Sequence, residues 1–121
     1  MAEKNETGRQ GESVARQYLE DKGYTILETN WRFHRFELDI IATNNKEIVV
    51  AEVKTRSDKY LMAPETAVDR KKIRRIVTAS DAYARQHGIS LPVRFDILCL
   101  IKKRQTFEIE HLEDAFYAPL R

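Results

Sequence analysis

Residues Glu37–Arg56 read ELDIIATNNKEIVVAEVKTR, which is the pattern of two strands joined by a tight turn. The turn falls near Thr43–Lys46, because asparagine tolerates the positive φ that tight turns require. Side chains alternate across a strand, so Glu52 and Lys54 share one face of the second strand. The stretch therefore predicts a β-hairpin that presents an acid and a lysine side by side.

The register of this hairpin follows from the position of its turn. It gives three facing pairs: Thr43–Ile48, Asp39–Glu52 and Glu37–Lys54. The opposite face then carries a run of apolar side chains: Leu38, Ile40, Ala42, Val49, Ala51 and Val53. Two facing carboxylates with no basic partner repel each other unless a cation lies between them. The hairpin thus predicts half of a divalent-metal site at Asp39 and Glu52.

A simpler interpretation is that these charged side chains face solvent, as most charges on strands do. The run Ile48–Val53 favours the metal site, because it is apolar on both faces until Glu52 and so resembles a central strand covered on both sides. A carboxylate or an ammonium at the end of such a strand is costly unless it is paired, bound to metal or placed at a cleft.

Composition predicts one soluble globular domain over residues 1–121, with 42% hydrophobic and 33% charged residues. No apolar run approaches the length of about 20 residues that spans a bilayer, and the first residues lack the apolar core of a signal peptide. The single cysteine, Cys99, lies in an apolar run and is expected to be buried. We therefore expect a cytoplasmic protein that does not associate with membranes.

The spacing of the glycine, serine and histidine residues excludes several classes of functional site. The four glycines form no dinucleotide or Walker loop, and no serine stands in a nucleophile elbow. The three histidines, His34, His87 and His111, lack the spacing of zinc ligands.

Positive charge is concentrated in one part of the chain, although the net charge is only +2. The cluster comprises Arg70, Lys71, Lys72, Arg74 and Arg75, preceded by Lys54, Arg56 and Lys59. Such a cluster is either a solvated helix face or a surface for the backbone of a polyanion.

Hydrophobic periodicity predicts an α/β domain in the order α-β-β-β-α-β-β. The predicted helices are Gly11–Lys22 and Glu65–Gln86, which end at Gly23 and Gly88. The predicted strands are Tyr24–Trp31, Glu37–Thr43, Glu47–Thr55, Pro92–Ile101 and Thr106–Leu112.

The chain resembles the PD-(D/E)xK nuclease superfamily and, within it, is identified as a member of the YraN family of bacterial proteins. The residues that carry this resemblance are Gly8-Arg9, Gly11-Glu12, Ala15, Tyr18-Leu19, Gly23-Tyr24, Asn30-Trp31-Arg32, Glu37–Ala42, Glu52–Arg56, Ala67-Val68, Lys72, Arg75, Arg94-Phe95-Asp96 and Asp114-Ala115-Phe116. The resemblance implies a restriction-endonuclease-like fold, in which helices flank a mixed central sheet.

The resemblance also implies site residues. Asp39 would be the first acid, Glu52 the second and Lys54 the catalytic lysine. Similarity to archaeal Holliday-junction resolvases would add Glu12 as a further catalytic and metal-binding acid. The alternative for Glu12 is a carboxylate that is stabilised near a helix N-terminus.

These residues would support phosphodiester hydrolysis with Mg²⁺ or Mn²⁺. Asp39, Glu52 and the backbone carbonyl of Val53 would supply the protein ligands. Lys54 would orient or deprotonate the attacking water, or neutralise charge on the phosphate.

The expected partner is nucleic acid, with branched or damaged DNA as the expected substrate and phosphate contacts from Arg56, Lys72 and Arg75. A homodimer is expected if the substrate is a four-way junction, because two equivalent cuts match a two-fold axis. A second hypothesis is a nuclease-fold protein that binds nucleic acid or acts as a scaffold without significant catalysis.

Overall fold

The structure is a computed structural model that describes residues 6–57 and 69–117. Within these residues, two helices and five strands occur in the predicted order: α1 (Glu6–Asp21), β1 (Thr25–Phe33), β2 (Phe36–Thr43), β3 (Ile48–Ser57), α2 (Arg70–Gln86), β4 (Val93–Lys102) and β5 (Phe107–Phe116). The strands form one sheet in the order β1-β2-β3-β4-β5. The sheet is mixed, because β3 and β4 are parallel and the other neighbours are antiparallel. The predicted fold class is confirmed.

Some predicted boundaries are wrong. The first helix begins at Glu6 rather than Gly11, and the last strand runs to Phe116 rather than Leu112. The glycines at the start of α1 concealed its first turn, since glycine is a weak helix former. The second helix begins at Arg70 within the described residues, and the predicted start at Glu65 lies outside them.

Both helices end where their glycines predict. Gly23 and Gly88 adopt φ values of 94° and 62°, which residues with a Cβ rarely adopt. After α1, the Tyr24 amide donates to the Leu19 carbonyl at 3.0 Å, which closes a Schellman motif. Neither helix in the described ranges is long and apolar enough to cross a membrane.

The two faces of the sheet carry separate apolar cores, one under each helix. The core beneath α1 contains Ile40, Ala42 and Ala51, as the hairpin pattern predicts. The prediction for Leu38 is wrong, because Leu38 packs in the core beneath α2 together with Ile41. The alternation of β2 changes beside Asn30 of β1, whose φ of 52° interrupts the regular pleat.

Pairing between β2 and β3 stops short of the charged residues. The predicted register is confirmed from Thr43–Ile48 to Ile40–Ala51. Beyond that pair, the Asp39 carboxylate accepts a hydrogen bond from the Val53 amide, with a distance of 2.8 Å between Oδ2 and N. A side chain has therefore replaced a backbone partner, and the two strands separate from this point.

A close contact holds the start of α1 against β3. A Cβ added to Gly11 would overlap the hydroxyl oxygen of Thr55. Gly11 is buried, and the contact sets the distance between the first turns of α1 and the end of β3.

Replacing Gly11 with alanine should lower the free energy of unfolding by about 1–3 kcal/mol, which is the usual cost of forcing extra volume into a packed contact. The overlap with Thr55 outweighs the helix propensity that alanine gains. Denaturant unfolding of wild type, Gly11→Ala and the double variant Gly11→Ala/Thr55→Ala measures the effect.

Ser13→Ala is the matched control, because Ser13 is an exposed residue of the same helix. The double variant should recover part of the loss, since the colliding oxygen is gone. A Gly11→Ala protein as stable as the Ser13→Ala protein would show that the contact does not constrain the helix.

Candidate functional site

A cleft of about 490 Å³ opens where β2 and β3 separate. Its lining comes from α1, from both strands and from α2: Thr7, Gly8, Glu12, Glu37, Asp39, Val53, Lys54, Thr55, Arg56 and Lys72. The cleft therefore brings together most of the residues that the sequence singles out, although they come from four separate elements.

Glu52 lies behind this lining and is paired with a lysine of α2. The side chain of Glu52 is 3% exposed, and its Oε1 lies 3.1 Å from the Nζ of Lys72. The prediction that the facing carboxylates lack a basic partner is thus wrong. Lys72 was expected to contact phosphate, whereas here it forms an ion pair with the buried acid. Sequence reasoning missed this pair because the rotation of a helix over a sheet is set by tertiary packing.

One oxygen of Glu52 remains unsatisfied. Its Oε2 is buried and has no hydrogen-bond partner among the described residues. Burial raises the pKa of Glu52 to about 7, and repulsion from Asp39 adds to the shift while Lys72 opposes it. The ion pair with Lys72 therefore does not offset the full cost of burying this carboxylate.

Lys54 lies on the same face of β3 as Glu52, as alternation predicts, and both contact Lys72. The pKa of Lys54 is lowered to about 8, chiefly by burial and also by the hydrogen bond with Lys72. Burial lowers the pKa of Lys72, but attraction to Glu52 and the hydrogen bonds with Lys54 and Glu52 together outweigh burial and raise that pKa. Two ammonium groups cannot hydrogen-bond to each other, so Lys54 is the amine that loses its proton first.

Of the other predicted site residues, two line the cleft and one lies outside it. Glu12 and Arg56 line the cleft with Asp39, and Arg56 donates from Nη1 to the Thr55 carbonyl at 3.1 Å. Arg75 lies on the exposed face of α2, outside the lining of the cleft. Glu37, predicted opposite Lys54, instead approaches Arg32 of β1 at 3.5 Å.

The residues present fit a cation that takes few ligands from the protein. Within residues 6–57 and 69–117, no three acidic, histidine or cysteine side chains are close enough to form a complete metal site. Two carboxylates are nevertheless adjacent, and one has a buried oxygen without a partner. Mg²⁺ commonly takes one or two carboxylates and completes its shell with water and phosphate. Joint ligation by Glu12 is not part of the observed geometry.

A second polar cluster lies away from the cleft. The Asp96 carboxylate is fully buried and accepts hydrogen bonds from Arg94 at 2.9 and 2.8 Å, from the Asp114 amide at 3.0 Å and, with protonation at Nε2, from His111 at 2.6 Å. Burial raises the pKa of Asp96, but the bonds from His111 and Arg94 outweigh it and hold that pKa below its usual value. The cluster ties β4 to β5 and is structural. Its signal in the sequence is an arginine and an acid two residues apart within an apolar strand.

Comparison with known proteins places the chain in a family. The model of "Uncharacterised protein family UPF0102" matches residues 11–100. The chain belongs to the UPF0102 family. A UPF0102 protein of Parabacteroides distasonis is 61% identical over the full length of both chains. Another, from Flavobacterium psychrophilum, is 45% identical over 97% of this chain and 98% of its own. The predicted membership of the YraN family, which is UPF0102, is confirmed.

The fold of this UPF0102 protein is also that of a solved resolvase. The structure of Hjc, a Holliday junction resolvase from Archaeoglobus fulgidus, matches 89% of this chain and 97% of its own with a TM-score of 0.52. The two sequences share 16% identity, so the likeness establishes the fold. It confirms the restriction-endonuclease-like architecture of the UPF0102 protein.

The raised pKa of Glu52 predicts a pH-dependent stability. A carboxyl whose pKa is higher in the folded than in the unfolded protein contributes most below the unfolded value and loses that contribution as pH rises through the folded value. Relative to Glu52→Gln, wild type should therefore lose stability between about pH 4.5 and pH 7, by at most about 3 kcal/mol. Denaturant unfolding in the presence of a chelator, across this range, measures the difference.

Glu20→Gln is the control, because Glu20 is an exposed acid of α1. Its stability curve should stay parallel to that of wild type. If the Glu52→Gln curve were also parallel to wild type, the buried carboxyl would have an ordinary pKa.

Proposed function

We propose that this protein is a metal-dependent nuclease that hydrolyses phosphodiester bonds of DNA, with branched or damaged DNA as the substrate class. The observation that carries the proposal is the cleft itself, in which Asp39, Lys54 and Arg56 meet beside the buried Glu52. Acids for a cation, a lysine of lowered pKa and a cationic lining are the groups that this reaction requires.

Asp39 and Glu52, with the Val53 carbonyl, would hold a Mg²⁺ or Mn²⁺ ion. Such an ion would neutralise charge on the phosphate and lower the pKa of a bound water. The hydrogen bond from the Val53 amide fixes one Asp39 oxygen. Burial fixes the position of the Glu52 carboxylate. Pre-positioned ligands lose little freedom when a cation binds.

Lys54 would act on the attacking water or on the phosphate. Its amine lies in the cleft, and burial lowers its pKa to about 8. Part of the Lys54 population is therefore unprotonated near neutral pH and can accept a proton from water. The protonated form would instead stabilise negative charge on the phosphate oxygens.

Two helix N-termini favour an anionic substrate near the cleft. The first turn of α1 contributes Thr7 and Gly8 to the lining, and a helix N-terminus attracts anions. The first turn of α2 holds three cations, Arg70–Lys72, and no acid. Cations at this end of a helix cost about 0.3–1 kcal/mol each. A phosphate backbone would remove that cost, with Arg56, Lys72 and Arg75 as the proposed contacts.

The substrate class is inferred from the resolvase named above. That protein is a Holliday junction resolvase, and this chain shares its fold. We propose DNA of branched form on this basis. A homodimer is proposed for the same substrate, because a four-way junction offers two equivalent strands to cut.

Two observations favour the second hypothesis, a nucleic-acid-binding or scaffold protein without significant catalysis. Lys72 already neutralises Glu52, and no complete group of metal ligands occurs in the described residues. A site of this kind could bind phosphate without cleaving it.

Lys54→Met should lower the single-turnover rate of cleavage by at least about 100-fold, which is the usual effect of losing an acid–base group. The protein should still fold, since methionine retains most of the aliphatic stem. The measurement uses branched, linear and single-stranded DNA, and RNA, with Mg²⁺ and with Mn²⁺. If Lys54 is the base, the rate should also rise with pH and level off above about 8.

Lys46→Met is the control, because Lys46 lies in the exposed turn at the far end of the same hairpin. Equal rates for Lys54→Met and Lys46→Met would remove Lys54 from the reaction. If wild type cuts none of these substrates with either metal, the protein is a binding or scaffold protein.

A further inference from the structure

The ammonium group of Lys72 neutralises the Glu52 carboxylate, as a bound metal ion would. Its Nζ lies 3.1 Å from Glu52 Oε1, and the second oxygen of the same carboxylate has no partner among the described residues. An ammonium and a divalent cation satisfy the same carboxylate by the same attraction, but two cations in contact with one oxygen repel each other.

The two members of the pair differ in their ability to move. The Glu52 side chain is 3% exposed and sits on the central strand β3, whereas the Lys72 side chain is 36% exposed and lies in the first turn of α2. A lysine has four rotatable bonds in its stem and can withdraw its charge towards water while its backbone stays fixed. The Lys72 amide is held in place by the Asp69 cap at 2.8 Å.

We propose that Lys72 is a displaceable counter-ion, which neutralises Glu52 in the metal-free protein and competes with the divalent cation for the same carboxylate. The inference rests on the proposed function for the identity of that cation. The displaced ammonium remains in the cleft with Lys54 and Arg56, where the proposed phosphate would lie. Lys72 would then neutralise Glu52 in the metal-free protein and contact the substrate phosphate once the metal is bound.

Competition has a measurable consequence. Removing the ammonium should tighten binding of the metal, because the cation no longer has to displace a charge. We expect Lys72→Met to bind Mn²⁺ about tenfold more tightly than wild type, a factor typical of interactions between neighbouring sites. Lys72→Arg should bind it more weakly than wild type, because guanidinium holds a carboxylate through two parallel hydrogen bonds.

The experiment is calorimetric titration of Mn²⁺ into chelator-treated protein without DNA, so that no activity is involved. Lys71→Met is the matched control, because Lys71 is an exposed lysine in the same turn of α2. It reports the effect of removing one positive charge without breaking the pair, and its affinity should stay close to that of wild type. Asp39→Asn/Glu52→Gln is the negative control, which should bind no Mn²⁺.

Equal affinities of Lys72→Met and Lys71→Met would overturn the proposal while leaving the metal site intact. Should Lys72→Met fail to fold around an unpaired Glu52, the Lys72→Arg protein decides, and an affinity equal to or tighter than that of wild type overturns it. Detectable Mn²⁺ binding by Lys72→Met, with none by wild type or Lys71→Met, would support the proposal. Absence of binding in every folded variant would refute the proposed metal site, and the competition with it.

Discussion

The hydrogen bond from the Val53 amide to the Asp39 carboxylate determines where the sheet opens. Backbone pairing of β2 and β3 ends at Ile40–Ala51, and a side chain accepts the next amide instead. A backbone donor left without any partner would be costly, so the strands can separate only because Asp39 replaces the missing carbonyl. The separation creates room for a cleft at the end of a central strand. The contact of Gly11 with Thr55 then places the start of α1 at its wall.

The electrostatics of the cleft follow from burying Glu52 at this point. A lone buried carboxylate would be prohibitively costly, and Lys72 reduces that cost without removing it. Burial also lowers the pKa of Lys54, and Lys54 gives up its proton still more readily because Lys72 retains its own. A pair of groups whose pKa values are pushed towards neutrality in a cleft is a common property of functional sites. The same three charges thus explain both the raised pKa of Glu52 and the lowered pKa of Lys54.

Local sequence patterns were sufficient for the elements and for part of the site. Alternation placed Glu52 and Lys54 on one face, and the asparagines located the turn, where Asn45 adopts a φ of 75°. Contacts between distant elements were not predicted. The pairing of Lys72 with Glu52 depends on how α2 lies across the sheet. The shift of Leu38 to the other core coincides with the left-handed backbone at Asn30 on a neighbouring strand. Neither the pairing of Lys72 with Glu52 nor the position of Leu38 can be recognised from the sequence immediately around it.

The most direct test of this account is a crystal structure of the protein with Mn²⁺, in which anomalous scattering locates the ion. We expect a peak between the carboxylates of Asp39 and Glu52, with the Nζ of Lys72 withdrawn from Glu52 into the cleft. The Val53 amide should still donate to Asp39. A structure at saturating Mn²⁺ with no peak at these carboxylates, and with Lys72 still paired to Glu52, would contradict it.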